Sequence, residues 1–514
     1  MRRTVLLVAA LLAGLTGTTV LPASADVAGR NLPAGGRVLF MMGQDSTTLS
    51  DLKRDVPSMN PGGVTLYTNI VLGGSPPPLA GIAAPADWGA GRVDFPQTLG
   101  DYPNAALAVG LYLSDATSGC GNQPLRAIIA NPDADITPSL VSAYRAQVDE
   151  LVNRLKGYDR AVYLRIGYEF DGPWNCYNTD FYKRAFRYIK GRIDALGASK
   201  VATVWQTAAW PLNTSTDHPE WNYVVTDPDH LTKWYPGDDV VDWVGLSAFY
   251  NSGSVATQWG CRAYDQAPVA AQTRALDFAR ARNKPAMIAE TAPQGYTNGT
   301  LTRSCIFSKA PAGTSAETIW SQWYAPFFAF VEANRDVVRA VSYINTNWDS
   351  QPLWQCATGA QAGGPGCANG YWGDSRIQAN PLIRSRFLAE LSKPVYVGGT
   401  GPNPTPSPTP TSSPSPSPSP TPTVTPTTGR YDVGASRSVI WFRPNGFTSS
   451  YVTVHYRVNG GGQLNYFLTW NAGSGRWELP VTLTAGSSLN YWFDFQPTSQ
   501  TYQESTPART TTIS

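Results

Sequence analysis

Two glutamates stand at the downstream ends of two apolar runs. Glu169 closes Ala-Val-Tyr-Leu-Arg-Ile-Gly-Tyr-Glu, and Glu290 closes Pro-Ala-Met-Ile-Ala-Glu. A pair of carboxyls is what hydrolysis of a glycosidic bond requires: one protonates the leaving oxygen, the other attacks the sugar or activates water. Competing chemistries have little to work with. The three histidines, His218, His230 and His455, are too few and too scattered for a histidine-rich metal site or a Ser-His-Asp triad. No GxSxG elbow falls on a strand-to-helix turn, and neither GxGxxG nor a P-loop occurs. The chemistry calls for no metal and no organic cofactor.

The pair must be brought together by elements far apart in sequence. Before residue 400 the chain contains eight short apolar runs: Val38–Met42, Val64–Tyr67, Leu107–Tyr112, Val162–Ile166, Val201–Trp205, Val241–Leu246, Ala286–Ala289 and Val341–Ile344. Helical patterns separate several of them. From Leu140 to Leu155 apolar residues recur at a 3.6 period, with Thr137 placed to cap and Pro138 at the first turn. Beyond Asp180, residues Phe181, Ala185, Phe186, Ile189, Ile193 and Leu196 form another apolar face, ended by Gly197. Strands alternating with helices imply a parallel sheet. Eight units over 31–395 predict a (β/α)8 TIM barrel, with an open doubly wound sheet as the alternative. In a barrel, Glu169 ends strand 4 and Glu290 ends strand 7, both at the face where such folds place their sites.

The remainder of the chain frames this domain. Met1-Arg2-Arg3, the apolar run from Val5 to Leu15 and Ala23-Ser24-Ala25 form a signal-peptide pattern over 1–25, which predicts a secreted protein. No later stretch has the length and apolarity of a membrane span. Residues 402–428 collapse to Pro, Thr and Ser without a charge and are expected to form an extended linker, on the order of 80 Å if fully stretched. Residues 430–514 alternate apolar and polar positions, rich in aromatics, and predict a small β-sandwich. A formal charge of +2 gives no reason to expect nucleic acid, whereas 17 Trp and 25 Tyr suit packing on sugar faces. The expected partner is a neutral polysaccharide, without membrane attachment, and the protein is expected to be a monomer. The six cysteines lack CxxC spacing. By their places after the strands, the expected disulfides are Cys120–Cys176, Cys261–Cys305 and Cys356–Cys367, all stapling loops of the active face.

With Glu169 and Glu290 at strands 4 and 7, the segment 31–395 resembles glycoside hydrolase clan A, and Arg-x-Gly-Tyr-Glu-Phe-Asp-Gly-Pro-Trp-Asn is similar in outline to family 26. Tyr168 stands where that family places His before its acid/base. The resemblance implies that Glu169 is the acid/base and Glu290 the nucleophile of a retaining enzyme. It also implies a tyrosine hydrogen bond to the nucleophile, for which Tyr250 after strand 6 is the candidate, and a tryptophan sugar platform after strand 8, for which Trp348 is the candidate. Strand-end position adds Arg165, Trp174, Asn175, Tyr177, Trp205 and Gln206 as substrate-binding candidates. Asp45 and Asp171 are either sugar hydroxyl acceptors or loop caps.

The terminal segment resembles carbohydrate-binding module family 56 through Val452-Thr453-Val454-His455-Tyr456-Arg457-Val458-Asn459-Gly460-Gly461-Gly462-Gln463 and Tyr491-Trp492-Phe493. Its candidate sugar-binding aromatics are Trp441, Trp470, Trp477 and Trp492. That family is associated with β-1,3-glucan. The expectation is therefore a retaining endo-β-1,3-glucanase. A β-mannanase or β-xylanase of family 26 type is the alternative, and a non-catalytic wall-binding protein a further one.

Overall fold

The computed structural model describes residues 27–116, 120–214, 222–249, 265–298, 302–303, 315–400, 430–461, 464–499 and 504–513. It separates into two units, residues 1–407 and 408–514. The signal-peptide segment 1–25 and the whole of the expected linker, 402–428, lie outside the described residues.

All eight apolar runs form strands of one parallel sheet: β1 (Val38–Gly43), β2 (Gly63–Asn69), β3 (Ala106–Tyr112), β4 (Val162–Ile166), β5 (Val201–Thr207), β6 (Trp243–Ser247), β7 (Ala286–Thr291) and β8 (Val338–Ile344). Each pairs with its successor, and β8 pairs back onto β1, from Leu39 opposite Ala340 to Gly43 opposite Ile344. The sheet is thus a closed barrel and not an open doubly wound one. The runs lack alternation because both strand faces are covered. Inward residues such as Met41, Ala108, Tyr163, Val204, Trp243 and Met287 fill the barrel, while Phe40, Leu66, Ile166 and Ile288 face the helical layer.

The helices begin where the sequence predicts. In α1 (Pro138–Gly157), Thr137 accepts a hydrogen bond from Leu140 N, and in α2 (Thr179–Ala195) Asn178 caps Asp180 and Phe181. The face α2 buries differs slightly from the expected one: Tyr182, not Phe181, joins Ala185, Phe186, Ile189 and Ile193 in the core.

The second unit forms two antiparallel sheets over a core of Ile440, Phe442, Val452, Val454, Tyr456, Tyr491, Phe493 and Phe495. One sheet holds β9 (Tyr431–Ala435), β10 (Val439–Pro444), β13 (Thr469–Asn471) and β14 (Arg476–Pro480). The other holds β11 (Ser449–Val458), β12 (Leu464–Phe467), β15 (Ser488–Pro497) and two short strands, β16 (Glu504–Ser505) and β17 (Arg509–Thr512). Alternation along β11 and β15 buries one side and leaves Thr453, His455, Arg457, Trp492 and Asp494 on the other.

Candidate active site

Backbone irregularities at two strand ends set the direction of the two glutamates. Met287 and Ala289 of β7 face the barrel interior, so strict alternation would turn Glu290 outward with Ile288. The pairing register slips here: Ile288 is opposite Leu246, yet Glu290 is opposite Ser247. That bulge returns Glu290 to the barrel mouth, where it is 7% exposed. Strand β4 ends at Ile166, and the chain then takes left-handed conformations at Gly167 (φ 53°) and Glu169 (φ 52°). For a glutamate this costs about 1–3 kcal/mol, so the surroundings must hold it. Asn175 Nδ2 donates to the carbonyls of Tyr168 and Glu169 at 3.0 Å each, Phe170 N donates to Gln206 O, and Gly172 N donates to Glu169 O. Asp171, 1% exposed, ties the same loop to β5 by accepting from Thr207 Oγ1 (2.5 Å) and Ala208 N (2.7 Å) and pairing with buried His230 (2.8 Å).

Inside the mouth, Arg165 is fully buried and donates through Nη1 to Glu290 Oε1 (2.7 Å), Gln206 Oε1 (3.2 Å) and Ala289 O (3.3 Å). Its guanidinium lies 4.7 Å from the Tyr67 ring centre and 5.5 Å from that of Tyr168. Gln206 Nε2 in turn donates to Ser247 Oγ (3.1 Å) and, weakly, to Glu290 Oε1 (3.4 Å). Ser247 Oγ donates to Glu169 Oε1 (2.7 Å), and Trp174 Nε1 donates to Glu169 Oε2 (3.0 Å). Burial, and next the charge of Glu290, push the Glu169 carboxyl from 4.5 up to about 8, against the opposing hydrogen bonds of Ser247 and Trp174. Two carboxyls thus share one pocket in different settings. One is paired with a buried cation and the other is held toward its protonated form, the division of labour that acid–base chemistry on a sugar linkage needs.

Arg165 carries the charge balance of this pocket. Arg165→Met is expected to cost about 3–5 kcal/mol of stability, because it leaves a buried carboxylate unpaired. Activity is expected to fall by roughly a hundredfold as the paired charge is lost. Thermal melting and steady-state kinetics on the same preparation check both.

The structure gathers Glu169, Glu290, Arg165, Gln206, Trp174 and Asn175 around one mouth and sends other candidates elsewhere. Trp205 is a core residue: adjacent strand positions face opposite ways, so with Gln206 pointing inward Trp205 points out, stacking on Phe170 at 4.4 Å. Tyr177 is 1% exposed and uses its hydroxyl to accept from Leu113 N. Trp348 is also 1% exposed and packs edge-on to Trp372 at 5.2 Å, so it offers no open face to a sugar. Asn175 braces backbone, as described. Among the described residues, the aromatic that is open beside the carboxyls is Trp174, 42% exposed. Asp45 is a buried helix cap, accepting from Thr48 N and Thr48 Oγ1, and Asp171 is a buried loop anchor.

Tyr250 lies outside the described residues. Among the described residues, a tyrosine that hydrogen-bonds both Glu290 and Arg165 is Tyr67, near the end of β2, whose burial pushes its phenol well above its usual range so that it remains a donor. Tyr67 and Ser247 are absent from the candidates drawn from sequence. The signal for Tyr67 was present: a hydroxyl-bearing ring closing an apolar run, in the same phase as Thr65.

Cys120–Cys176 and Cys356–Cys367 are bonded, whereas Cys261 and Cys305 lie outside the described residues. Among the described residues no cluster of three or more His, Cys, Asp or Glu is placed to hold a metal ion, and no helix is long and apolar enough to cross a membrane.

In the second unit, Trp477 packs partly into the core and Trp470, 46% exposed, meets it edge-on at 5.8 Å. Trp441 lies across Gly434, where a Cβ would stand 2.6 Å from the indole, and Arg476 sits 4.8 Å from its ring centre. Trp492 is on the opposite sheet's outer face. His455 stacks on it at 5.2 Å and bonds Asp494 (2.9 Å), which also accepts from Ser505 Oγ (2.6 Å).

Comparison with known proteins places these features. The family model described as carbohydrate binding module family 56 matches residues 429–506. A Vibrio sp. protein named β-1,3-xylanase TXYA is 36% identical over 376 residues, covering 72% of this chain and 67% of the relative. A β-1,3-xylanase from Alcaligenes sp. is 36% identical over 376 residues, covering 72% of this chain and 66% of its own. The chain therefore spans about two-thirds of the length of these relatives. Among solved structures, an endo-β-1,4-mannanase double mutant from Cellulomonas fimi aligns over 91% of this chain and 93% of its own, with 15% identity and a TM-score of 0.44.

Proposed function

The chain belongs to the glycoside hydrolase family of these two β-1,3-xylanases and carries a family 56 carbohydrate-binding module, and we propose that it is a secreted, retaining endo-β-1,3-xylanase whose barrel is of the clan A, family 26-like type. The observation that carries the reaction is the pocket in which Glu290 is paired with buried Arg165 while Glu169 is held protonated near neutrality. In this reading Glu169 donates its proton to the leaving oxygen as Glu290 attacks the anomeric carbon. Glu169, then ionised, takes a proton from the water that releases the sugar. Tyr67 and Arg165 hold the nucleophile, and Trp174 offers its open ring to a sugar beside the cleaved bond. Secretion is supported by the signal-peptide pattern of residues 1–25.

The relatives move the preferred substrate of the barrel from β-1,3-glucan to β-1,3-xylan while keeping the linkage. The module match at 429–506 favours β-1,3-glucan as a second reading. Reducing-sugar release from purified β-1,3-xylan, laminarin and β-mannan separates them. The proposal expects xylan to be cleaved fastest. Cleavage of laminarin alone would transfer the assignment to the second reading.

For the module, we propose the face bearing His455, Trp492 and Asp494 as the sugar platform, because there a ring stands beside fixed polar groups. Trp492→Ala is expected to weaken retention on insoluble β-1,3-glucan by at least roughly tenfold, whereas Trp441→Ala changes it little. Pull-down isotherms with the full chain check this, and the reverse ranking places the platform on the other sheet.

A further inference from the structure

Resting on the reading of Glu169 as the acid, we infer that a one-way hydrogen-bond chain from Arg165 through Gln206 and Ser247 fixes the catalytic proton on Oε2 of Glu169, making Ser247 a positioning residue for proton donation. The direction of the chain follows from donor and acceptor inventory. A guanidinium only donates, so Gln206 must present Oε1 to Arg165 Nη1 at 3.2 Å. Its amide nitrogen therefore faces Ser247 Oγ and Glu290 Oε1. Ser247 accepts from that nitrogen, and among the described residues its own single proton has one acceptor within reach, Glu169 Oε1 at 2.7 Å.

The reverse arrangement, with the acid proton on Oε1 and pointing at Ser247, would leave the serine proton without an acceptor among the described residues, at a position 3% exposed. Oε1 holds the shorter of the two donors (2.7 Å against 3.0 Å), and a carbonyl-type oxygen accepts better than a hydroxyl-type one, so Oε1 is kept as the carbonyl-like oxygen and the acid proton is left to Oε2. That is the oxygen on the side of Trp174, the exposed ring at the mouth, and its remaining lone pair still accepts the indole N–H. When the proton passes to the leaving oxygen, both carboxylate oxygens already hold donors. The anion so formed is stabilised without reorganisation. No atom of the chain besides that proton changes bonding partners.

A serine that only packed would affect every substrate alike, whereas one that fixes the acid proton matters when the leaving group needs that proton. The experiment compares wild type, Ser247→Ala and the nearly isosteric Ser247→Cys, whose thiol is a weak donor. Each is assayed on β-1,3-xylan and on a dinitrophenyl β-1,3-xylobioside, whose leaving group departs unprotonated. For both variants kcat/KM on xylan is expected to fall by roughly tenfold or more and on the activated substrate by less than about twofold. The alkaline limb of the xylan profile is expected to move to higher pH, because a hydrogen bond favouring the ionised carboxyl is gone. Ser247→Thr, which restores the hydroxyl, is expected to recover the limb.

Equal losses on both substrates, or an unmoved alkaline limb in both variants, overturn the inference. Failure of the underlying reading looks different: Glu169→Gln would then cleave xylan as well as wild type does.

Discussion

Glu290→Ala is expected to reduce xylan hydrolysis by at least roughly ten-thousandfold, the scale of losing the group that forms the covalent bond. The variant keeps Glu169, Ser247 and Gln206, so the acid is intact and only the attacking group is missing. Its stability also falls, because among the described residues Arg165 then retains only neutral partners, Gln206 Oε1, Ala289 O and Tyr67. Azide, a small anion suited to the space vacated beside the guanidinium, is expected to restore turnover of an activated substrate and to give the α-glycosyl azide. Product analysis by NMR checks the configuration. A β-azide would mean that azide entered from the face served by the other carboxyl.

Glu169→Gln is expected to lower kcat/KM on xylan by about 10²–10⁴-fold while largely sparing an activated aryl substrate. In the wild type the carboxyl loses its proton near pH 8, so activity on xylan falls as pH rises through that value, and in the variant this alkaline limb is absent. Stability moves the other way. The folded-state value is raised from 4.5 to about 8, so the fold disfavours the ionised group. Below 4.5 the carboxyl is neutral in both states and contributes nothing; the cost grows as pH rises toward 8 and is complete above it. The variant, carrying no charge there, should melt above wild type most clearly on the alkaline side, with the gap closing toward pH 4. Melting curves across that range test the sign.

The strands were legible because a barrel strand buries both faces and so leaves an uninterrupted apolar run. The two glutamates were legible because they end such runs. Their directions were not. Alternation from Ile288 would have turned Glu290 toward the helices, and a bulge, which leaves no sequence mark here, reverses that. The phase of Arg165 cannot be carried forward to Glu169 because the strand stops at Ile166 and two left-handed residues intervene.

Trp205 shows the opposite case. Its neighbour Gln206 already claimed the inward direction, so alternation alone excluded it from the site. Tyr177 and Trp348 had no such test, since loop residues follow no fixed period. Their burial depends on Leu113 and Trp372, contacts made by segments distant or irregular in sequence. Ser247 is in phase with Trp243 and Gly245 on β6, yet its value lies in what it touches across the barrel, which is visible only once β4, β5 and β6 stand side by side.

The central claim is that Glu290 bonds to the sugar while Glu169 supplies and recovers the proton. Its most direct test is to trap the intermediate with a 2-fluoro xylobioside bearing a dinitrophenyl leaving group and map the labelled peptide by mass spectrometry. The account predicts one fluoro-xylobiosyl group per chain, on Glu290, and release of β-configured products on turnover of xylan. A label on any other residue, or α-configured first products, would contradict it.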